Sequence, residues 1–202
     1  MASDKWNTEN AQNYGIDLLI SDQLRLRELQ EEDLPFLTQW WNSPEFMALQ
    51  GSLVLPHPVQ EAATLFKSRS LNRGTTDGVG LSITLPDDTL IGHTALYDYN
   101  APARSAELMI MIGGSNVGQG YGTLATKMII DYGFREMGLN RIGLTAWAYN
   151  ERALRTFIRS GFREEGRVRQ AGFHDGSFHD KIVMGLLAEE YFKSRLAVQP
   201  LG

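Results

Sequence analysis

The segment Ile112-Gly113-Gly114-Ser115-Asn116-Val117-Gly118-Gln119-Gly120-Tyr121-Gly122-Thr123 lies between an apolar run and a helical pattern. The chemistry it suits is anion binding. Glycines admit positive φ and let a ligand approach the backbone closely. A helix start exposes unpaired N–H groups at the positive end of the dipole. Together these features make a phosphate site. A glycine-rich connection that binds nothing is the plain alternative. A mononucleotide P-loop requires GxxxxGK[ST]. Gly113 and Gly118 have that spacing, but Gln119 stands where the lysine is needed. A dinucleotide fingerprint requires GxGxxG. Gly118 and Gly120 fit, yet Thr123 fills the third position and the turn lies mid-chain after strands read as antiparallel.

Other residues carry chemistry by type and position. Asn150 is placed to N-cap a helix. Arg152, Arg155 and Arg159 then recur at i, i+3 and i+7, which makes one basic face. That face either meets a phosphate or is a solvated surface with a Glu151–Arg155 pair. Glu107, inside an apolar strand, is a candidate base or a member of a hydrogen-bond network. His93, alone in its strand, has a side chain that titrates near neutrality. His174, Asp175, His179 and Asp180 surround a turn, but adjacent strand residues point to opposite faces, so no metal site is expected. The chain has no cysteine. That excludes disulfides, thiolate metal sites, iron–sulfur clusters and a cysteine nucleophile.

The third reading of the glycine turn is the pattern [Q/R]xxGx[G/A]. Val117-Gly118-Gln119-Gly120-Tyr121-Gly122 fits it, with Val117 where Gln or Arg is usual. This resembles the acetyl-CoA pyrophosphate loop of the GNAT N-acetyltransferases. Ala106-Glu107-Leu108-Met109-Ile110-Met111-Ile112 resembles the family's fourth strand. Asn150-Glu151-Arg152-Ala153, then Phe157 and Gly161-Phe162, resembles its NxxA/S…Y/F…GF segment. Residues 166–185, with Asp175-Gly176 and His179-Asp180, resemble the last hairpin of the ribosomal-protein N-terminal and spermidine acetyltransferases. The similarity covers about residues 22–190, which makes 1–21 an N-terminal extension and 191–202 a C-terminal tail.

The resemblance implies transfer of acetyl from acetyl-CoA, as cosubstrate, to a primary amine by direct attack in a ternary complex. The acceptor is a small-molecule amine or a protein N-terminus. Ile110, Met111 and Ile112 are expected to pair with the pantetheine arm. Val117 and the N–H groups of Gly118, Gln119, Gly120, Tyr121, Gly122 and Thr123 are expected at the pyrophosphate. Asn150, Ala153, Arg155 and Phe157 complete the expected cofactor contacts. Glu107 is the leading base, through water, with Asn150 beside the acetyl end. His93, Tyr97, Tyr99, His174 and Asp175 are the candidate acceptor residues. Three departures favour an alternative, a non-catalytic acyl-CoA-binding or sensing domain. Phe157 stands where many members have a tyrosine acid. Ala153 stands where some have serine. Gln170-Ala171-Gly172 lacks the glutamate found before the final turn.

The elements that must position these residues follow from periodicity. Residues 24–29 alternate as a strand. Leu34, Leu37, Trp40 and Trp41 mark a helix that Asn42-Ser43-Pro44 ends. A helix is expected over 59–71, strands over 79–85, 89–99 and 106–112, and a helix over 123–137. A strand over 141–148, a helix from Asn150 to Gly161, and strands over 162–170 and 178–187 complete the order. Trp6, Tyr14, Ile16, Leu18 and Leu19 show little periodicity but can dock on the body. Three strands joined by short turns should be antiparallel, and the strand–helix–strand unit parallel. The fold class expected is α+β (α/β mixed): a GNAT-like central mixed β-sheet of about seven strands with helices on both faces.

Composition sets the outer limits. At 202 residues, 43% hydrophobic and 21% charged, the chain has the make-up of one ordinary globular domain. The net charge of −5 argues against nucleic acid as a partner. Residues 1–100 hold 6 Lys+Arg against 14 Asp+Glu, whereas residues 101–202 hold 13 against 10. That split suits an anionic cofactor and a cationic acceptor, with chance placement on solvated faces as the other reading. No stretch reads as a membrane span or a secretory signal, so a cytoplasmic monomer or homodimer is expected.

Overall fold

Strand parity dictates which residues face which helix. The structure, a computed structural model, describes residues 7–51, 53–74 and 78–198. Its strands are β1 (Arg25–Arg27), β2 (Val79–Thr84), β3 (Leu90–Asn100), β4 (Ser105–Ile112), β5 (Arg141–Trp147), β6 (Arg163–His174) and β7 (Ser177–Leu187). They form one sheet in the order β1-β2-β3-β4-β5-β7-β6, antiparallel except for β4 with β5. This is the mixed seven-stranded sheet expected. The helices are α1 (Thr8–Leu19), α2 (Leu34–Trp41), α3 (Pro44–Gln50), α4 (Val59–Arg69), α5 (Tyr121–Arg135), α6 (Glu151–Arg159) and α7 (Ala188–Val198). Among the described residues, no helix is long and apolar enough to cross a membrane.

The register aligns Val79 with Leu96 and Leu96 with Leu108 across one face. Ile142, Leu144, Ile182 and Met184 continue that layer, and Ala125, Ile129 and Phe134 of α5 close over it. Burying one such aliphatic side chain contributes about 1.5–3 kcal/mol. The opposite face holds a smaller core, in which Met111 of β4 meets Leu34, Leu37 and Phe66 of α2 and α4. The sheet thus carries two unequal cores.

Both ends of the chain carry helices that lie against the body of the domain. Residues 1–21 contain α1, capped where Asn10 N–H donates to Asn7 Oδ1 at 2.8 Å. Only Leu18 of α1 is buried, so no apolar stripe betrays the helix. Tyr14 O–H donates to Glu136 Oε2 at 2.8 Å, and Arg135 lies 4.8 Å from the Tyr14 ring centre. Trp6 falls outside the described residues. At the other end α7 runs through the boundary expected at residue 190, with Tyr191 5.0 Å from Phe134 and Arg195 paired to Asp131.

The small core also buries polar groups. Arg27 Nη1 donates to Asp33 Oδ2 at 2.8 Å, and Ser82 O–H donates to the same oxygen at 2.7 Å. Burial raises the Asp33 pKa, but the bonds from Arg27, Gln30 N–H and Ser82 outweigh it and hold the carboxyl below its ordinary value. His93 is 0% exposed, edge-on to Phe66 at 5.2 Å, with Nε2 paired to Ser70 Oγ at 2.8 Å. Burial lowers its pKa to about 3.

This has a consequence for acid stability. The unfolded chain binds a proton at His93 near pH 6.5 and the folded chain only near pH 3, so stability falls as pH drops through that window. A His93→Leu variant should lose part of that slope. Melting temperature measured from pH 7 to pH 4 checks it. An equal slope in both proteins sinks the assignment.

Candidate active site

The site starts where β4 and β5 part. They pair only through Ser105↔Arg141, Ala106↔Ile142 and Glu107↔Gly143. β4 then continues to Ile112 against β3 alone. The outer edge of β4 therefore faces a cleft of about 750 Å³. Ile110, Met111 and Ile112 form one wall. Asn150, Ala153 and Phe157 of α6 form the other, while Glu45, Leu49 and Gln50 of α3 roof it.

The glycine loop closes the end of the cleft. Gly118 and Gly120 have φ of +87° and +91°, backbone that only glycine adopts without strain. Among the described residues, the backbone N–H groups of 117–122 meet no hydrogen-bond acceptor. Their arc ends at the start of α5, so the helix dipole adds positive potential. Thr123 was expected in this arc, but its N–H donates to Gly120 O at 3.1 Å in a tight first turn. Gln119 and Tyr121 do not line the cleft through their side chains. Gln119 Nε2 donates to Ser115 O at 2.8 Å and braces the loop, while Tyr121 packs on the main core.

The basic face of α6 does turn toward the cleft: Arg152, Arg155 and Arg159 all line it. Arg155 also pairs with Glu151 at 2.9 Å, and Arg152 reaches Glu45 of α3 at 3.2 Å. Arg159 has no carboxylate partner among the described residues. Asn150 is 2% exposed and both ends of its amide are used. Oδ1 accepts from Ala153 N–H at 3.1 Å, and Nδ2 donates to Leu49 O at 3.0 Å. It therefore ties the start of α6 to the end of α3.

Glu107 lies further down β4, opposite Tyr97 in β3 and Gly143 in β5. A Cβ on Gly143 would stand 2.5 Å from Glu107 Oε1, so the glycine makes room for the carboxyl. Glu107 is half-buried and makes no hydrogen bond or ion pair among the described residues. Burial raises its pKa; Arg141 lowers it, and Asp98 and Glu165 raise it further. It does not line the 750 Å³ cleft. A second pocket of about 240 Å³ is lined by Gln50, Thr145, Ala146, Trp147 and Lys181. Gln50 borders both spaces.

Several expected acceptor residues lie elsewhere. His93 pairs in register with Met111, but α4 covers that row and the imidazole sees no solvent. Tyr97 shares the Glu107 face, half-buried under Arg69 at 4.0 Å. Tyr99 does not. The irregularity after Tyr97, with Asp98 at φ +52°, reverses parity and packs Tyr99 on the main core. His174 stacks on Tyr149 at 5.6 Å, and Asp175 sits in the hairpin turn at φ +47°. Neither lines either pocket.

Sequence reasoning missed the roof. Pro44 was read as the end of α2, but it opens α3, where Ser43 Oγ accepts from Phe46 N–H at 3.2 Å. Ser43 followed by Pro44 and Glu45 is an N-cap signal with proline in the first turn, and it was available. Trp40 was named only as one of the residues that mark α2. Its ring lies against the Cα of Gly113, where a Cβ would collide with it.

The model of the GNAT acetyltransferase domain matches residues 23–163. Spermidine N(1)-acetyltransferase of Vibrio cholerae is 28% identical over 174 residues, 85% of this chain and 97% of that protein. A putative ribosomal N-acetyltransferase of Bacillus subtilis, YdaF, is 34% identical over 107 residues, so the match spans 53% of this chain and 58% of YdaF. The solved structure of the Vibrio cholerae spermidine N-acetyltransferase in complex with CoA and spermine superposes with a TM-score of 0.75 at 26% identity. It covers 85% of this chain and 99% of that one.

The two loop glycines should behave differently. Gly120→Ala forces a side chain into left-handed backbone, at a cost of about 1–2 kcal/mol, and should weaken CoA binding roughly tenfold. Gly122→Ala places its Cβ 3.6 Å from Ile112, ordinary contact, and should bind CoA nearly as wild type does. Calorimetric titration with CoA distinguishes them. Equal losses would show that loop conformation is not what matters.

Proposed function

The chain belongs to the GNAT acetyltransferase family, and on that premise we propose that an amine attacks acetyl-CoA directly in a ternary complex, with Glu107 receiving the amine's proton through water. The observation that carries this reading is the unpaired edge of β4 running into the N–H arc of residues 117–122. Its donors and acceptors suit the amides of pantetheine, and the arc suits pyrophosphate. Acetyl-CoA supplies an activated thioester. The residues of this chain bind it, aim it and handle the proton.

Ile110, Met111 and Ile112 offer backbone groups to the pantetheine arm. The N–H groups of Gly118 to Gly122 hold the pyrophosphate oxygens. Arg155 and Arg159 supply positive charge for the remaining phosphate. Ala153 and Phe157 give the thioester an apolar flank. Asn150 fixes the start of α6, so its contribution is position. The acceptor is a primary amine, whether of a small molecule or a protein N-terminus, presented from the face that carries Glu107 and Tyr97. A free alkylamine has a pKa near ~10, so it must lose a proton to react at neutral pH. Glu107 suits that task because burial raises its pKa toward the working range.

The test measures thiol release from acetyl-CoA against a panel of amines, then kcat/KM across pH. The base must be deprotonated, so activity should fall as pH drops through a value above the ordinary carboxylate range. Glu107→Gln should lower kcat about 100-fold and remove that limb. A profile unchanged by the substitution excludes Glu107 as the base.

A further inference from the structure

We propose that the 240 Å³ pocket at Trp147 and Lys181 is an acceptor subsite for an anion, so that the preferred amine carries a carboxylate several bonds from its nitrogen, as an ω-amino acid does. This rests on the acetyl-transfer reading above and narrows its acceptor.

Position comes first. Gly143, Thr145 and Trp147 alternate onto one face of β5, the face on which Glu107 stands opposite Gly143. Lys181 of β7 pairs in register with Trp147, so it shares that face. Four residue steps along the strand take Gly143 to Trp147, about 13 Å. The amine end of an acceptor thus meets the Glu107 end of the face, and its other end meets Lys181. Gln50 borders both this pocket and the cleft, so the two spaces adjoin.

The pocket's chemistry is that of an anion site. Lys181 Nζ lies 4.8 Å from the Trp147 ring centre and has no carboxylate partner among the described residues. The Gln50 and Thr145 side chains make no hydrogen bonds among those residues either. Three donors that make no hydrogen bond to the described residues therefore border one small pocket. The wall beneath them is fixed. Trp147 is 6% exposed, stacks on Tyr149 at 6.0 Å, and occupies the space that a side chain on Gly172 would need.

The other charges on this face sharpen the choice. Arg141 is held by Glu165, with Nη2 2.6 Å from Oε2. Arg69 covers Tyr97 and has no carboxylate partner among the described residues. Glu107 and the exposed Asp98 lie toward β3, away from Lys181. A polyamine would bring a second ammonium against Lys181, where like charges repel. The acidic residues of the first hundred that form ion pairs are spent elsewhere: Asp33 and Asp88 on Arg27, Glu31 on Lys67, Glu45 on Arg152.

The full chain with acetyl-CoA is assayed on a series of ω-amino acids of increasing chain length, their amides, spermidine, and N-terminal peptides. The expected result is a KM about tenfold lower for the best amino acid than for its amide, the size of one hydrogen bond to a charged group. Lys181→Met should erase that preference by raising KM for the acid, and Lys181→Arg should keep it. Faster turnover of amides or spermidine than of acids overturns the subsite, as does a preference for acids that survives Lys181→Met. Turnover of N-terminal peptides alone, with none of the small amines, also overturns it, whereas absence of turnover with every amine and every peptide counts against the acetyl-transfer reading itself.

Discussion

Everything at the site follows from three ladder pairs. Two parallel strands need a crossover, and here α5 makes it between β4 and β5. The strands stay together only from Ser105↔Arg141 to Glu107↔Gly143. Past that point β4 leans on β3, and its other edge faces the cleft. Backbone polar groups buried without partners are costly, so such an edge persists only where something else can pair with it. β4 ends at the glycine loop that starts α5, and β5 ends at the cap that starts α6. One parting therefore sets both walls and the floor of N–H groups.

The roof is held from the second face of the sheet. α2 and α4 rest on the small core with Met111 and Phe66, and Trp40 lies flat on Gly113. Asn150 then reaches Leu49 O, which joins the roof to the far wall. Because both functions of that amide are satisfied inside the protein, Asn150 is a structural tie before it is anything else. The large core anchors α5, and the small one anchors what covers the cleft. Disturbing the small core would thus affect ligand binding more than its size suggests.

Much of this was legible. The Gly118–Gly120 turn demanded positive φ, and the alternation in residues 106–112 marked β4. The arginines at 152, 155 and 159 fell on one face because helical spacing leaves no other choice. What remained hidden depended on parity and on neighbours. His93 carries a reactive side chain, but its row lies under α4, which no local pattern announces. Tyr97 and Tyr99 share parity in a regular strand; the irregularity at Asp98 separates them. α3 was hidden by reading Pro44 as a stop, when proline starts a helix as readily as it ends one. The acidic first half suggested a face for cations, yet Glu31, Asp33, Glu45 and Asp88 pair with arginine and lysine over several elements. Net charge says how many charges there are, not where they point.

The missing general acid is less of a difficulty than the sequence suggested. Phe157 and Ala153 cannot donate a proton, and the hydroxyl on the α6 wall is that of Thr156, an alcohol and so a weak acid. The leaving group decides whether that matters. A free thiol has a pKa near ~8.5, so the departing thiolate is only weakly basic, whereas the nitrogen of the tetrahedral intermediate leaves readily only when it is protonated. A thiolate is therefore a far better leaving group than an amide ion, and it need not be protonated as it departs. The amine's proton is the one that must move, since the ammonium cannot attack. A site with one half-buried carboxylate and an apolar flank meets that unequal demand. Burial brings the Glu107 pKa upward, closer to the pH at which a base both exists in quantity and accepts protons. Phe157, 8% exposed and packed edge-on to Phe162 at 5.9 Å, keeps that flank dry. A dry flank also protects the thioester from water, which is the competing acceptor in any direct transfer.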